Sequence, residues 1–167
     1  MNLEEQYLSN ETDEKQYLDL VKDVIDNGSW KTGRNGRTKE VFGRMLRFSL
    51  SDNKLPLLTT KHVSWKTVLK ELLFFIKGQS DNRILNNQGV HIWDWNSTRE
   101  FLDSRGLTKY PEGILGPIYG VNWRNFNGKY DICRCTESQI CKCNSLEKEG
   151  RIDQLQDVID KLKNPAT

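Results

Sequence analysis

Apolar residues recur along this chain in three helix-like stripes. Tyr17, Leu20, Val21, Val24 and Ile25 follow the helical period and predict a helix from about Asp13 to Asn27, closed by Gly28. The second stripe is much broader. Trp65, Val68, Leu69, Leu72, Leu73, Phe75 and Ile76 fill most of a helix expected from Trp65 to Lys77, with Ser64 as N-cap and Gly78 as C′ residue. A helix with so wide an apolar arc is expected to be buried. Ile152, Leu155, Val158, Ile159 and Leu162 predict a last helix from Ile152 to Lys163, closed by Pro165.

Between these stripes the signals are shorter. Residues 1–12 form a polar lead-in, and Lys31–Thr38 reads as a basic, glycine-containing loop. Val41–Leu50 reads as a strand, with Phe42, Leu46, Phe48 and Leu50 in one phase. Asp52-Asn53 is a turn, and Pro56 keeps Leu55–Lys61 extended. A short helix follows Asp81 and stops at Gly89. Val90–Trp93 is short and apolar. Ser97-Thr98-Arg99-Glu100 has capping-box spacing and opens a short helix ending near Gly106. Leu115–Arg124 follows neither period. Its glycines, proline, aromatics and cation suit a wall where backbone and rings approach a ligand closely.

Composition narrows the function classes. The chain has 167 residues, 36% of them hydrophobic, and a net charge of +2. That suffices for one domain with a core, and it gives no bulk electrostatic reason to bind nucleic acid or membrane. No run approaches the ~18 apolar residues of a spanning helix. Met1–Glu5 lacks the apolar region of a signal peptide. The expected compartment is cytoplasmic, or another reducing intracellular one. Cys133, Cys135, Cys141 and Cys143 form two Cys-x-Cys pairs that could clamp a tetrahedral zinc ion. Reduced loop thiols or disulfides fit them as well.

Several side chains could carry chemistry. Arg34 and Arg37 could grip a phosphate, or belong to a solvated basic loop. Glu71 interrupts the most apolar helix, where burial would raise its pKa and suit it to proton handling; the bland reading puts it on the solvent edge. Trp93 and Trp95 offer flat apolar area for a planar ligand or fill the core. Tyr119 is either a site residue or a buried tyrosine with a bonded hydroxyl. Lys61 and His62 are otherwise exposed at a strand end.

Set side by side, these segments resemble the thymidylate synthases. Leu115-Gly116-Pro117-Ile118-Tyr119-Gly120-Val121-Asn122-Trp123-Arg124 is similar to that family's Leu-Gly-Pro-Val-Tyr-Gly-x-x-Trp-Arg block. Leu58-Thr59-Thr60-Lys61 matches its Leu-Thr-Thr-Lys, Glu71-Leu72-Leu73-Phe74-Phe75 its Glu-Leu-Leu-Trp-Phe, and Ile92-Trp93-Asp94 its Ile-Trp-Asp. Arg34-Asn35-Gly36-Arg37-Thr38 before Phe42-Gly43 resembles its Arg-Thr-Gly-x-Gly-Thr loop, one residue short, and Asp153-Gln154-Leu155 its Asp-Gln-Leu helix. His62 stands where the family usually has arginine, and Ile114 where it commonly has aspartate.

The resemblance implies an α/β fold, a mixed sheet with flanking helices that packs sheet to sheet in a homodimer. It covers the N-terminal half of the family domain, over residues 13–167, with a Cys-rich insertion at about 129–150. It implies reductive methylation of dUMP to dTMP with 5,10-methylenetetrahydrofolate. Arg34, with Arg37 as the alternative, takes the dUMP phosphate. Lys61, Ile92, Trp93 and Asn96 face the folate. Glu71 handles protons through ordered water, and Tyr119 lies beside the nucleophile. None of the four cysteines has the Pro-Cys-His context of that nucleophile, so these 167 residues alone are expected to be inactive. A pyrimidine nucleotide hydroxymethylase of the same superfamily, or a non-enzymatic zinc-binding interaction module, are the other readings.

Overall fold

Asp13–Asn27 forms helix α1, over the residues that its stripe predicts. It ends at Gly28, whose amide donates to the Val24 carbonyl at 3.1 Å. A Cβ there would stand 2.3 Å from that oxygen, so the stop requires glycine. The computed structural model describes residues 13–33, 36–130 and 150–164. It divides into two units, residues 1–63 and 64–167.

In the first unit, α1 is followed by β1 (Ser29–Gly33) and β2 (Gly36–Glu40), an antiparallel ribbon that pairs Ser29 with Glu40 and Gly33 with Gly36. The predicted basic loop at 31–38 is therefore strand over 31–33 and 36–38. Lys31 and Arg37 sit on an exposed ribbon, where strand and loop compositions look alike. Lys31 pairs with Glu40 across the ribbon at 3.0 Å, and the Arg37 guanidinium lies 4.8 Å from the centroid of the Trp30 ring. The expected strand at Val41–Leu50 does not form. Alternating side chains do not make a strand without a neighbour to complete the ladder. Here the backbone bonds to α1 side chains instead. Gln16 both donates to the Arg47 carbonyl at 2.6 Å and accepts from its amide at 3.0 Å, and the Ser49 amide donates to Asp13 at 3.2 Å. Phe42 is almost wholly exposed. Asp52 and Asn53 form the predicted turn with positive φ, which short polar side chains tolerate.

The same turn of α1 holds a second segment. The Glu14 carboxylate accepts from Thr59 N at 2.7 Å, Thr59 Oγ1 at 2.6 Å, Thr60 N at 2.8 Å and Thr60 Oγ1 at 2.7 Å. These bonds, the Thr59 hydroxyl first, hold its pKa down at about 2. A carboxyl with a depressed folded-state pKa stabilises above its unfolded value, and that stabilisation fades as pH falls toward the folded value. At neutral pH the protein should therefore resist urea better than its Glu14→Gln variant. The gap should close between about pH 4.5 and pH 2, the window set by those two values. A constant gap across that range would assign the effect to packing rather than charge.

The second unit starts with α2 (Trp65–Ile76), followed by α3 (Arg83–Asn86), α4 (Arg99–Ser104), α5 (Tyr119–Arg124) and α6 (Gln154–Lys163). Gly78 ends α2 as predicted, at φ +68. Its amide donates to Phe75 O at 2.9 Å and the Gln79 amide to Phe74 O at 3.1 Å, the paired bonds of a Schellman turn. The burial expected for α2 is only partly found. Phe74 and Phe75 are buried, whereas Trp65, Val68, Leu69, Leu72, Leu73 and Ile76 are exposed. The core is small: Phe74, Phe75, Leu85, Val90 and Leu115 form one cluster, with Ile84, Trp93, Ile118 and Trp123 packed against it, and Leu102, Ile114 and Val121 are buried as well. Each side chain so buried is worth about 1.5–3 kcal/mol.

Short anchors complete this unit. Thr98, not Ser97, caps α4, accepting from Phe101 N at 3.2 Å. Asp153 caps α6, accepting from Gln156 N at 3.0 Å, so that helix begins two residues later than predicted. Ile152 instead forms a bridge with Phe126. The fold is mixed α/β, as the resemblance implies. Of the large sheet, the described residues contain the β1–β2 ribbon and two isolated bridges. Among them no helix is long and apolar enough to cross a membrane.

Candidate active site

Three residues far apart in sequence meet around Phe75. Glu71 lies one helical turn before Phe75 on α2, so both occupy the same face. The Trp93 indole N–H donates to Glu71 Oε1 at 2.7 Å. The Phe75 ring meets Trp93 edge-on at 6.2 Å between centroids, Tyr119 at 5.3 Å and Trp123 at 5.9 Å. Trp93 and Tyr119 are themselves 6.2 Å apart. Aromatic pairs in such tilted arrangements add about 0.5–1.5 kcal/mol each beyond burial, and they fix ring orientation.

The block holding Tyr119 is set by backbone. Asp81 and Ile114 form a bridge, the Asn82 amide donates to Gly113 O at 2.8 Å, and the Leu115 amide donates to Ser80 O at 2.8 Å. Gly116 turns with φ +77 under the Tyr110 ring. After this irregular entry the chain becomes α5, a helix that the mixed composition of the block conceals. Gly120 lies on the α2 backbone: a Cβ there would stand 2.7 Å from Phe75 O and 2.8 Å from Phe75 Cα. That contact sets Tyr119 beside Phe75. Tyr119 is 56% exposed, which overturns the alternative of a buried structural tyrosine.

Trp93 comes from a loop braced by polar groups that the sequence did not single out. Asn82 Nδ2 donates to Asp94 Oδ1 at 2.8 Å, and His91 Nδ1 lies 2.9 Å from Asp94 Oδ2. Burial pushes the Asp94 carboxyl up most strongly, but the bonds from Asn82, His91 and Asn86 together bring it below its ordinary range. Ser97 Oγ donates back to Asp94 O at 3.1 Å. The available signal was an aspartate between two tryptophans. Ile92 and Trp95 are exposed, 52% and 60%, and Asn96 is half-buried. Trp95 is thus no core filler.

Glu71, Trp93 and Tyr119 therefore converge, with Ile92 and Asn96 flanking Trp93 in its loop. Arg37 and Lys61 belong to the first unit, Arg37 on β2 and Lys61 exposed just after Thr60. Arg34 lies outside the described residues, as do Cys133, Cys135, Cys141 and Cys143. Among the described residues no group of three His, Cys, Asp or Glu side chains converges as metal ligands do. Chemically, the convergence is a half-buried carboxylate held at one oxygen. No described side chain bonds its second oxygen. Such a group can exchange protons with whatever lies against Trp93 and Tyr119.

Known proteins resemble this chain over most of its length. The family model described as thymidylate synthase matches residues 15–167. The thymidylate synthase of Candida albicans is 47% identical over 95% of this chain and 48% of its own length. That of Ascaris suum is 46% identical over 91% of this chain and 49% of its own. A rice protein named putative bifunctional dihydrofolate reductase-thymidylate synthase is 47% identical over 91% of this chain and 29% of its own. The chain thus spans from under a third to about half the length of these relatives. The match runs through both units and includes every residue of the convergence. The chain belongs to the thymidylate synthase family.

Proposed function

We propose that the protein carrying this stretch converts dUMP to dTMP by reductive methylation. The observation that carries the reading is the Trp93–Glu71 bond beside the Tyr119 ring. It presents a proton-handling carboxylate to a surface of planar side chains, where a pyrimidine would lie flat. Glu71 moves protons on the pyrimidine through ordered water at its second oxygen, while Trp93 holds the carboxylate by the first. Tyr119 is assigned a place beside the cysteine nucleophile. Arg34, with Arg37 as the alternative, takes the substrate phosphate.

Ile92, Trp93, Asn96 and Lys61 are assigned to 5,10-methylenetetrahydrofolate. The exposed Ile92 and the edge of Trp93 suit a flat pterin, and Lys61 suits an acidic tail. When bound, the folate supplies the one-carbon unit and the hydride. The covalent step needs a cysteine nucleophile, a role for which none of this stretch's four cysteines has the Pro-Cys-His setting.

The test is an assay of the complete gene product with dUMP and 5,10-methylenetetrahydrofolate. Formation of dTMP and dihydrofolate in equal amounts is expected. Hydroxymethylated pyrimidine nucleotide without dihydrofolate would assign the protein to the hydroxymethylases instead. Stoichiometric zinc with no nucleotide binding would overturn both enzymatic readings.

A further inference from the structure

We propose that Glu14 is a positioning residue for folate binding, acting through Thr59 and Thr60 on Lys61. The inference rests on the assignment of Lys61 to the folate. Two consecutive residues give one carboxylate all four of their available donors, two amides and two hydroxyls. Oε1 takes three of these donors and Oε2 takes the Thr59 hydroxyl, so a single dipeptide engages both carboxylate oxygens. The next residue is Lys61. The segment around it has little else to hold it: it is neither helix nor strand, and Thr59, Thr60 and Lys61 are all exposed. Fixing φ and ψ at Thr59 and Thr60 fixes the origin and direction of the Lys61 side chain. Glu14 lies 45 residues from Thr59 in sequence. Its own place is set by α1, and its charge suits the first turn of a helix.

The neighbouring ties provide a control. Gln16 bonds the Arg47 backbone through the same turn of α1 but does not touch Thr59 or Thr60. Loss of either residue should loosen the first unit. Only loss of Glu14 should disturb Lys61.

The test measures folate affinity by calorimetry in the complete protein with dUMP bound, for wild type, Glu14→Gln, Gln16→Ala, Lys61→Ala and the Glu14→Gln/Lys61→Ala double variant. Glutamine keeps the size and removes the charge: its oxygen can still take the three donors at Oε1, while its NH₂ group faces the Thr59 hydroxyl and reverses that bond. Glu14→Gln should weaken folate binding about tenfold, the scale of one charge-assisted bond, and leave dUMP affinity within about twofold. In the Lys61→Ala background it should add less than about twofold, because the two changes act along one path. Glu14→Asp should recover part of the loss. Folate affinity unchanged in Glu14→Gln, an equal loss in Gln16→Ala, or additive losses in the double variant would each overturn the proposal. A wild type that binds folate but makes no dTMP would overturn the reaction and leave this inference standing or falling on the affinities. A wild type that binds no folate would overturn both.

Discussion

Glu71→Gln is expected to lower kcat for dTMP formation in the complete protein by about 10²–10⁴-fold, the range for removing a general acid–base group. The substitution separates chemistry from architecture. The glutamine oxygen can still accept the Trp93 N–H that Glu71 accepts at 2.7 Å. Phe75, Tyr119 and Trp123 keep their edge contacts, because none of those rings depends on the charge. Thermal stability and dUMP affinity should therefore stay close to wild type while turnover collapses. Rapid-quench measurement of the chemical step, beside a thermal melt, checks both halves. A kcat within tenfold of wild type would remove Glu71 from the proton-transfer path. A collapse of stability along with kcat would make it a structural acceptor for Trp93 and nothing more.

Gly120→Ala should cost roughly 2–4 kcal/mol, at the upper end for overpacking a close contact. The added methyl would meet Phe75 O at 2.7 Å and Phe75 Cα at 2.8 Å. Those are main-chain atoms of a helix and cannot rotate away. Relief requires α5 to move off α2, taking Tyr119 with it. The expected signature is a lower urea midpoint with an unchanged slope. Val121, buried in the next position, gives the comparison: Val121→Ala leaves a cavity instead of a clash. A Gly120→Ala variant within about 0.5 kcal/mol of wild type would show that the helices have slack there.

Much of the helical content was legible because it depends on local period and on terminators. α1 and α6 follow their stripes, and Gly28 and Gly78 stop their helices as expected. What failed depended on partners. Val41–Leu50 has a strand's alternation but, among the described residues, no strand beside it, and its Arg47 and Ser49 amides donate to Gln16 and Asp13 of α1. Residues 31–38 have a loop's composition, yet 31–33 and 36–38 find each other across a ribbon. Glu71, Trp93 and Tyr119 were each legible as candidates through the family motifs. Their meeting around Phe75 was not, since neither period nor spacing says which of several aromatics a helix will face. The part played by Asp94 and Asn82 is hidden for the same reason: it lies in their bond to each other at 2.8 Å, 12 residues apart.

The six large apolar side chains along the outer surface of α2 also govern how this stretch behaves in solution. A contiguous apolar strip is salted out by sulfate and phosphate, which are excluded from protein surfaces and so strengthen apolar association. With a net charge of only +2, little long-range repulsion opposes that association. Solubility should therefore fall as these salts are added and recover with modest urea, which solvates apolar and peptide groups together. Storage conditions chosen by habit, ammonium sulfate above all, would concentrate the molecule through the face least able to tolerate it.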